Sequence, residues 1–365
     1  MRLLIAGGGT GGHLFPGIAV AEEVVRRGGQ VLFVGTSRGL EARAVPAAGY
    51  PLELLEVSGL KRMSLGATMR GLYRLPKAFL RSWSILRRFR PDVVLGVGGY
   101  ASGPMVLVAA LLGYPSAIQE QNSVPGITNR ILSRLVRVVM VAFADAGKFF
   151  PAKKIESTGN PVRAKLASAL TSGNEPGQDA RILVVGGSQG ARAVNDLVMA
   201  AVEILSKEDR LPVIVHQTGP NDLDRCNERY RTLGVTDRVE TRAFIDDMAS
   251  AYQQASLVVG RAGALTLAEL AMAARPAILI PLPTAADDHQ NKNAAHFAKA
   301  GAALVLDQKT ATGAQLARLL GELSGDPSRR QAMAQAMSTL ARPQAAQDIV
   351  DRLEKLTAAK RSVFA

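Results

Sequence analysis

The chain has 365 residues, 47% hydrophobic and 21% charged, which is too long for one ordinary domain and rich enough to build two cores. A single cysteine, Cys226, excludes a disulfide framework and a cysteine-built zinc site, and a reducing cytosolic compartment fits. The net charge of +13 points to a polyanionic partner (nucleic acid, acidic lipid or a phosphorylated substrate), while 5% aromatics leave little with which to stack single-stranded bases.

Leu3-Leu4-Ile5-Ala6 is a short apolar run leading into Gly7-Gly8-Gly9-Thr10-Gly11-Gly12-His13, after which Gly17 to Val25 is apolar at helical spacing. This predicts a buried strand, a glycine turn and a helix, with no secretory leader before them. Val31 to Val34 reads as the next strand. Gly7, Gly9 and Gly12 have the spacing of a dinucleotide-binding loop, but Gly35-Thr36-Ser37-Arg38 supplies no acid for a ribose. Ser37 and Arg38 leave a 2′-phosphate cofactor open.

From Val57 to Pro91 there is no Asp or Glu, while Lys61, Arg62, Arg70, Arg74, Lys77, Arg81, Arg87, Arg88 and Arg90 accumulate. With Pro76 at a first turn, Phe79, Leu80, Trp83 and Leu86 fall on one helical stripe. The stripe either packs on the sheet or, with its aromatics exposed, lies with the basic residues on anionic lipid. Val93 to Gln119 is free of charge, yet Gly96, Gly98, Gly99, Gly103, Pro104, Gly113 and Pro115 interrupt it. Strand, glycine loop and buried helix fit that pattern better than a membrane span.

A boundary falls near Gly159-Asn160-Pro161-Val162, giving domains of residues 1–162 and 163–341, with a last helical segment from Pro343 to Leu356, inside residues 342–365, crossing back onto the first. Ala169 to Gln178 reads as a surface loop. Ile182 to Val185 then leads into Gly186-Gly187-Ser188-Gln189-Gly190-Ala191-Arg192 and a helix through Asn195 to Val198, so the second half begins as the first does. Val93 to Gly96, Val213 to Val215, Leu257 to Val259 and Ala277 to Ile280 lack strict alternation, as parallel strands buried on both faces do. Two doubly wound α/β domains follow, each binding ligands outside the carboxyl ends of its strands, with glycine loops on both walls of a cleft between them. There is no P-loop, and His13, His216, His289 and His296 are too scattered for a catalytic zinc site.

Seven strings stand out in order: Gly8-Gly9-Thr10-Gly11-Gly12-His13-Leu14-Phe15-Pro16-Gly17, Gly96-Val97-Gly98-Gly99-Tyr100-Ala101-Ser102-Gly103-Pro104, Glu120-Gln121-Asn122-Ser123-Val124-Pro125-Gly126-Ile127-Thr128-Asn129, Gly159-Asn160-Pro161-Val162-Arg163, Gly186 to Arg192, Arg261-Ala262-Gly263-Ala264-Leu265-Thr266-Leu267-Ala268-Glu269, and Asp287-Asp288-His289-Gln290-Asn291-Lys292-Asn293-Ala294. Together, and over essentially the whole chain, they resemble the MurG family, the peptidoglycan transferases that convert lipid I to lipid II. The resemblance implies an inverting glycosyltransferase (a hexosyltransferase) of the GT-B type, with two Rossmann-like domains. It implies UDP-N-acetylglucosamine as co-substrate, mostly on the C-terminal half, and lipid I on the N-terminal half. The sugar would pass to the 4-hydroxyl of the N-acetylmuramoyl residue of undecaprenyl-pyrophosphoryl-MurNAc-pentapeptide.

Carried over residue by residue, Ser188 would meet a diphosphate oxygen, Arg163 the nucleotide, and Glu269 both ribose hydroxyls. The Phe244-Ile245 backbone would read uracil. Ala264, Leu265 and Thr266 match the helix start near the diphosphate, and Gln290 the residue gripping the sugar's hydroxyls; His289 stands where some relatives carry Gln. On the N-terminal half Thr10, Gly11, Gly12 and Asn122 are assigned to the donor, Tyr100 and Asn129 to the acceptor side. The acceptor hydroxyl must lose a proton while attacking the anomeric carbon, and imidazole titrates near neutral pH, so His13 is the general-base candidate. The plainer reading makes His13 a turn-shaping residue, Glu269 and Arg163 surface charges, and Asn122 and Gln290 turn or cap residues.

Leaving-group charge would be met by helix N-termini and Arg, with no metal and no tightly bound cofactor. Lys77, Phe79, Leu80, Arg81 and Trp83 would form a patch on the anionic membrane surface. The protein would then be peripheral, on the cytoplasmic face of the inner membrane, among the cell-wall and division machinery. Two alternatives stay open: a GT-B transferase for a different glycolipid or small-molecule acceptor, and a nucleic-acid-binding protein drawing on the +13 charge. The leading reading expects no nucleic acid.

Overall fold

The computed structural model describes residues 1–37, 39–57, 65–171, 180–187 and 189–363. Arg38, Lys61, Arg62 and Ser188, all named above, lie outside the described residues. The chain divides into two compact units, Met1–Ala164 with Arg342–Ala365, and Lys165–Ala341.

The first unit runs β1 (Arg2–Gly7), α1 (Gly11–Arg26), β2 (Gln30–Gly35), α2 (Glu41–Ala47), β3 (Leu52–Leu54), α3 (Leu65–Phe89), β4 (Val93–Gly98), α4 (Ser102–Leu111), β5 (Ser116–Glu120), α5 (Ile127–Leu132), β6 (Val138–Val141) and β7 (Ile155–Ser157). Its strands form one parallel sheet in the order β3-β2-β1-β4-β5-β6-β7. Side chains alternate along a strand, so Leu3 and Ile5 enter one core with Leu14, Ile18 and Val24 of α1, while Leu4 and Ala6 enter the other with Ile85, Met105 and Val106. Both faces are covered, which is why β1 reads as an unbroken apolar run. The charge-free stretch from Val93 to Gln119 folds as strand, ten-residue helix and strand. Among the described residues no helix is long and apolar enough to cross a membrane.

The second unit runs α6 (Ala164–Thr171), β8 (Arg181–Val185), α7 (Arg192–Lys207), β9 (Val213–Gln217), α8 (Leu223–Thr232), β10 (Val239–Arg242), α9 (Met248–Gln254), β11 (Leu257–Gly260), α10 (Ala264–Ala273), β12 (Ala277–Leu279), α11 (His289–Lys299), β13 (Ala303–Val305), α12 (Gly313–Gly325) and α13 (Pro327–Thr339). Its sheet is parallel in the order β10-β9-β8-β11-β12-β13, the same winding as the first. The last helix, α14 (Ala345–Val363), belongs to the first unit, where Ile349, Val350 and Leu353 are fully buried beside α1. Arg27, which caps the C-terminal end of α1, fastens it by ion pairs to Asp351 (2.5 Å) and Glu354 (3.0 Å).

Three expectations need correction. Pro76 does not open a helix; it lies inside α3, which starts eleven residues earlier. Of the stretch from Ala169 to Gln178 read as loop, Ala169 to Thr171 close α6, and residues 172–178 lie outside the described residues. The stripe of Phe79, Leu80, Trp83 and Leu86 is divided. Ala78, Ser82, Ile85 and Leu86 are buried and Phe79 packs against them, whereas Leu80 (67% exposed) and Trp83 (43%) face outward. The helical repeat explains the split: 78, 82, 85 and 86 fall on one side, and 80, 83 and 87 on another.

Candidate active site

In a doubly wound sheet the strand order reverses at one point, and the loops leaving the two strands there diverge to open a crevice. In the first unit that point lies between β1 and β4, and the loops are Gly8–Thr10 and Gly99–Ala101. In the second it lies between β8 and β11, and the loops are the Gly186–Ala191 segment and Arg261–Gly263. The described residues inferred from sequence fall in or just after loops leaving strand carboxyl ends: Thr10, Gly11, Gly12 and His13 after β1, Tyr100 after β4, Asn122 and Asn129 after β5, and Arg163 after β7. Ile245 follows β10, Ala264, Leu265, Thr266 and Glu269 follow β11, and Gln290 follows β12.

His13 sits in the first turn of α1, whose extended N-cap is Thr10. The Thr10 carbonyl accepts from His13 N–H (3.2 Å) and Leu14 N–H (3.1 Å). His13 Nδ1 lies 2.8 Å from Gln121 Oε1. Gln121 Nε2 donates to the Val97 carbonyl (2.9 Å), so its oxygen is the atom turned to the imidazole. Nδ1 therefore carries a hydrogen toward Gln121, and of the two neutral tautomers this contact selects the one with its lone pair on Nε2. Gly98, at φ +93°, makes the fit possible, since a Cβ there would stand 2.8 Å from His13 Nδ1. Gln121 is buried, and the Asn160 side chain donates to its carbonyl (2.9 Å), tying the Gly159-Asn160-Pro161 turn to the same place.

The acceptor-side assignments differ in kind. Tyr100 is 55% exposed, whereas Asn129 is 2% exposed and donates to Glu120 Oε2 (2.9 Å). Glu120, itself buried, also accepts from the Asn122 backbone N–H (3.0 Å). Asn129 thus acts on its surroundings through Glu120. Arg163 is exposed and its guanidinium stacks 5.1 Å from the Phe15 ring.

In the second unit the glycine loop is pressed against the turn after β9. A Cβ on Gly190 would lie 2.0 Å from the Thr218 carbonyl, and one on Gly219 would lie 2.2 Å from the Gln189 carbonyl. Beneath that contact is a buried polar chain. Asn195 Nδ2 donates to the Thr218 carbonyl (2.9 Å) and to Asp222 (2.8 Å), and its Oδ1 faces His216 Nε2 (3.1 Å). His216 Nδ1 then accepts from the Tyr230 hydroxyl (2.8 Å), which requires the neutral ring. Burial lowers the His216 pKa to about 3, against the pull of Asp222. Asp222 is itself held at about 2 by its hydrogen bond with Arg225, burial opposing it.

The sign of the linkage follows. Above about pH 6.5 neither state carries the His216 proton; below it the unfolded chain takes one up and the folded chain does not. Between pH 7 and 4.5, above the window of Asp222, stability should fall by about 2–3 kcal/mol on this account alone. Urea unfolding at both pH values checks it. His216→Gln should remove that increment, and an unchanged pH slope in the variant would refute the assignment.

Glu269, on the second turn of α10, accepts from the buried Tyr252 hydroxyl (3.1 Å). Burial, followed by the Glu269 charge and hydrogen bond, drives the Tyr252 pKa well above its usual value. Ala264, Leu265 and Thr266 form the first turn of α10, a helix end whose dipole favours an anion, after an extended Gly263 N-cap. Ile245 is 3% exposed beside Phe244 at 52%. Gln290 accepts from the Leu282 N–H (2.9 Å), and it follows Asp287 and Asp288 at φ +52° and +59°. Two successive non-glycine residues in the left-handed region are a local strain at the start of α11, one residue removed from Gln290.

Three site features escaped the sequence reading. Gln121 was visible only as part of a quoted string, and Glu41, whose carboxylate meets the first glycine loop, carried no motif. Asp222-Leu223-Asp224 has the Asp-x-Asp spacing of a metal-diphosphate pair, which the metal-free expectation overlooked. Asp222 is committed to Arg225 and Asn195. Among the described residues no cluster of three metal-ligating side chains occurs.

Two doubly wound units with glycine loops at their switch points make up the GT-B fold. Residues 3–141 match the glycosyltransferase family 28 N-terminal domain and residues 181–352 the glycosyltransferase family 28 C-terminal domain. The chain belongs to glycosyltransferase family 28. It is 50% identical over 353 residues, 96% of this chain and 92% of the relative, to the UDP-N-acetylglucosamine–N-acetylmuramyl-(pentapeptide) pyrophosphoryl-undecaprenol N-acetylglucosamine transferase of Anaeromyxobacter dehalogenans. The Myxococcus xanthus enzyme of the same name is likewise 50% identical, with the same coverage. The crystal structure of Acinetobacter baumannii MurG superposes with a TM-score of 0.78 at 34% identity, over 97% of this chain and 99% of that one.

Proposed function

We propose that the protein transfers N-acetylglucosamine from UDP-N-acetylglucosamine to the 4-hydroxyl of the N-acetylmuramoyl sugar of lipid I, with inversion, yielding lipid II for peptidoglycan. The observation that carries the reading is His13, held by Gln121 at Nδ1 and with no partner at Nε2 among the described residues, in the first turn of α1 directly after the loop at the β1/β4 switch point. The names of the relatives supply the substrates. His13 Nε2 takes the hydroxyl proton as the acceptor oxygen bonds to the anomeric carbon. The bond from that carbon to the diphosphate oxygen breaks, and UDP leaves with the electron pair.

In this reading the C-terminal unit holds the donor. The Gly186–Ala191 loop with Ser188 and the start of α10 (Ala264, Leu265, Thr266) take the diphosphate; Glu269 takes the ribose, the Phe244-Ile245 backbone the uracil and Gln290 the sugar. Thr10, Gly11, Gly12, Asn122 and Arg163 complete the donor contacts from the N-terminal unit, and Tyr100 and Asn129 serve the acceptor side. Diphosphate charge is met by helix ends and Arg, without metal or a bound cofactor. Turnover with UDP-N-acetylglucosamine, UDP-glucose and NADPH compared side by side tests this. Preference for the first supports the reading; preference for NADPH overturns it.

Lipid I keeps its polyprenyl chain in the bilayer, so the enzyme works at the cytoplasmic face of the inner membrane, beside the cell-wall and division machinery. The outer face of α3 suits that place. Leu80 and Trp83 are exposed, Arg87 stacks 5.0 Å from the Trp83 ring, and Lys77 and Arg81 are exposed alongside, Arg81 paired to Glu53 at 2.8 Å. Each basic residue near an anionic surface contributes about 1 kcal/mol, so Lys77→Glu with Arg81→Glu should weaken binding to phosphatidylglycerol liposomes by at least about tenfold. Co-sedimentation equal to that of the unaltered chain would count against the patch.

A further inference from the structure

Glu41 is a carboxylate in the first turn of α2 that is only 1% exposed. Its Oε2 accepts from the Gly9 N–H (2.7 Å), and its Oε1 from the Thr36 N–H (2.8 Å) and the Thr36 hydroxyl (2.8 Å). Three glycines from three segments make its room. A Cβ on Gly8 would lie 2.2 Å from the Glu41 carboxyl carbon, one on Gly35 2.4 Å from its Cγ, and one on Gly39 2.1 Å from its Oε2. The carboxylate therefore fills a socket made by the loop after β1, the end of β2 and the turn before α2. Burial raises its pKa, yet the N–H groups of Gly9, Thr36 and Glu41 itself, with the Thr36 hydroxyl, outweigh burial and hold it below the usual carboxylate range.

The socket is where a dinucleotide fold would offer its first glycine loop to a phosphate and the end of its second strand to a ribose. Here the Gly9 N–H and both Thr36 donors are spent on the chain's own acid. The loop so fixed leads directly into Thr10, the N-cap of α1, whose carbonyl receives the His13 N–H. It also supports the neighbouring loop, since Gly8 N–H donates to the Gly98 carbonyl (3.3 Å) and Gly98 abuts His13.

We propose that Glu41 is a positioning residue for the transfer reaction, an internal anion seated in the first glycine loop that sets Gly8–Thr10 and, through Thr10, the His13 imidazole. The proposal rests on the reading of His13 given above. A displacement of about 1 Å at a reacting group costs on the order of 100-fold, so Glu41→Gln, which turns an amide N–H toward one of these donors, should lower kcat at least about tenfold. KM for UDP-N-acetylglucosamine should rise by a smaller factor than kcat falls, because most of the donor's proposed contacts, among them Glu269 and Gln290, belong to the other unit.

A second readout needs no turnover: the His13 ring signals in proton–nitrogen NMR, assigned with His13→Gln, should shift in Glu41→Gln while those of His216 stay in place. A folded variant with unaltered kcat, or with His13 signals unmoved, overturns the proposal. Should Glu41→Gln not fold, Gly39→Ala, whose new Cβ strikes the same carboxylate, is measured in the same two ways. If neither folds, Glu41 is purely structural and the proposal fails. An unaltered chain that transfers no N-acetylglucosamine sinks the functional reading instead, and the His13 signals still decide the role of Glu41.

Discussion

His13→Ala should lower the rate of sugar transfer by about 10²–10⁴-fold, the span that a positioned general base contributes. Affinity for UDP should be nearly unaffected, since its proposed contacts lie mostly in the second unit. The alanine variant alone does not separate base catalysis from turn-shaping, because it also strands Gln121 Oε1, which is 2.8 Å from Nδ1 in the native site. His13→Gln separates them. An amide N–H can face Gln121 as Nδ1 does, so the hydrogen bond and the turn survive, but no basic lone pair remains. If His13 is the base, glutamine and alanine are equally poor in single-turnover measurements at saturating donor. If glutamine restores most of the rate, the imidazole only shapes the loop and the base must be sought elsewhere.

The same site shows which kinds of information a sequence carries. Strands β1 and β8 were legible because both faces of each are covered, so every position after the leading Arg2 and Arg181 is buried and carries no polar side chain. Strands β3 (Leu52-Glu53-Leu54) and β10 (Val239-Glu240-Thr241-Arg242) were not; both are edge strands, short and open on one side, and their composition resembles a loop. The Pro76 error has a different cause. A proline inside a helix forfeits one hydrogen bond and is disfavoured locally, and only the rest of the fold decides whether the helix runs on through it. The glycine loops, His13 and Glu269 were singled out through strings long enough to be specific. Glu41 escaped because the ribose-binding acid was sought at the end of β2, whereas this acid comes from the next helix and turns back. Three glycines at 8, 35 and 39 are its trace, and they signify a socket only once the segments are brought together.

Glu269→Ala should weaken UDP binding by roughly 10- to 100-fold, equivalent to losing one charge-assisted hydrogen bond or more at about 1.5–3 kcal/mol each. Titration calorimetry measures it, but the number alone is ambiguous. Glu269 also accepts the hydroxyl of Tyr252, a side chain 1% exposed, and removing the acceptor buries an unpaired donor at a cost of about 1–3 kcal/mol to the fold. Two controls separate ribose recognition from damage to α10. Glu269→Gln retains an oxygen for Tyr252, so its thermal unfolding should match the native chain while its UDP affinity still falls, because a carboxamide cannot accept from both ribose hydroxyls and Tyr252 as a carboxylate can. The second control changes the ligand. For the unaltered protein, 2′,3′-dideoxy-UDP should bind as weakly as UDP binds to Glu269→Ala, and the substitution should cost little further with the dideoxy compound. Equal losses with both ligands would mean that Glu269 supports the helix without touching the ribose, and the donor site would then have to be drawn without it.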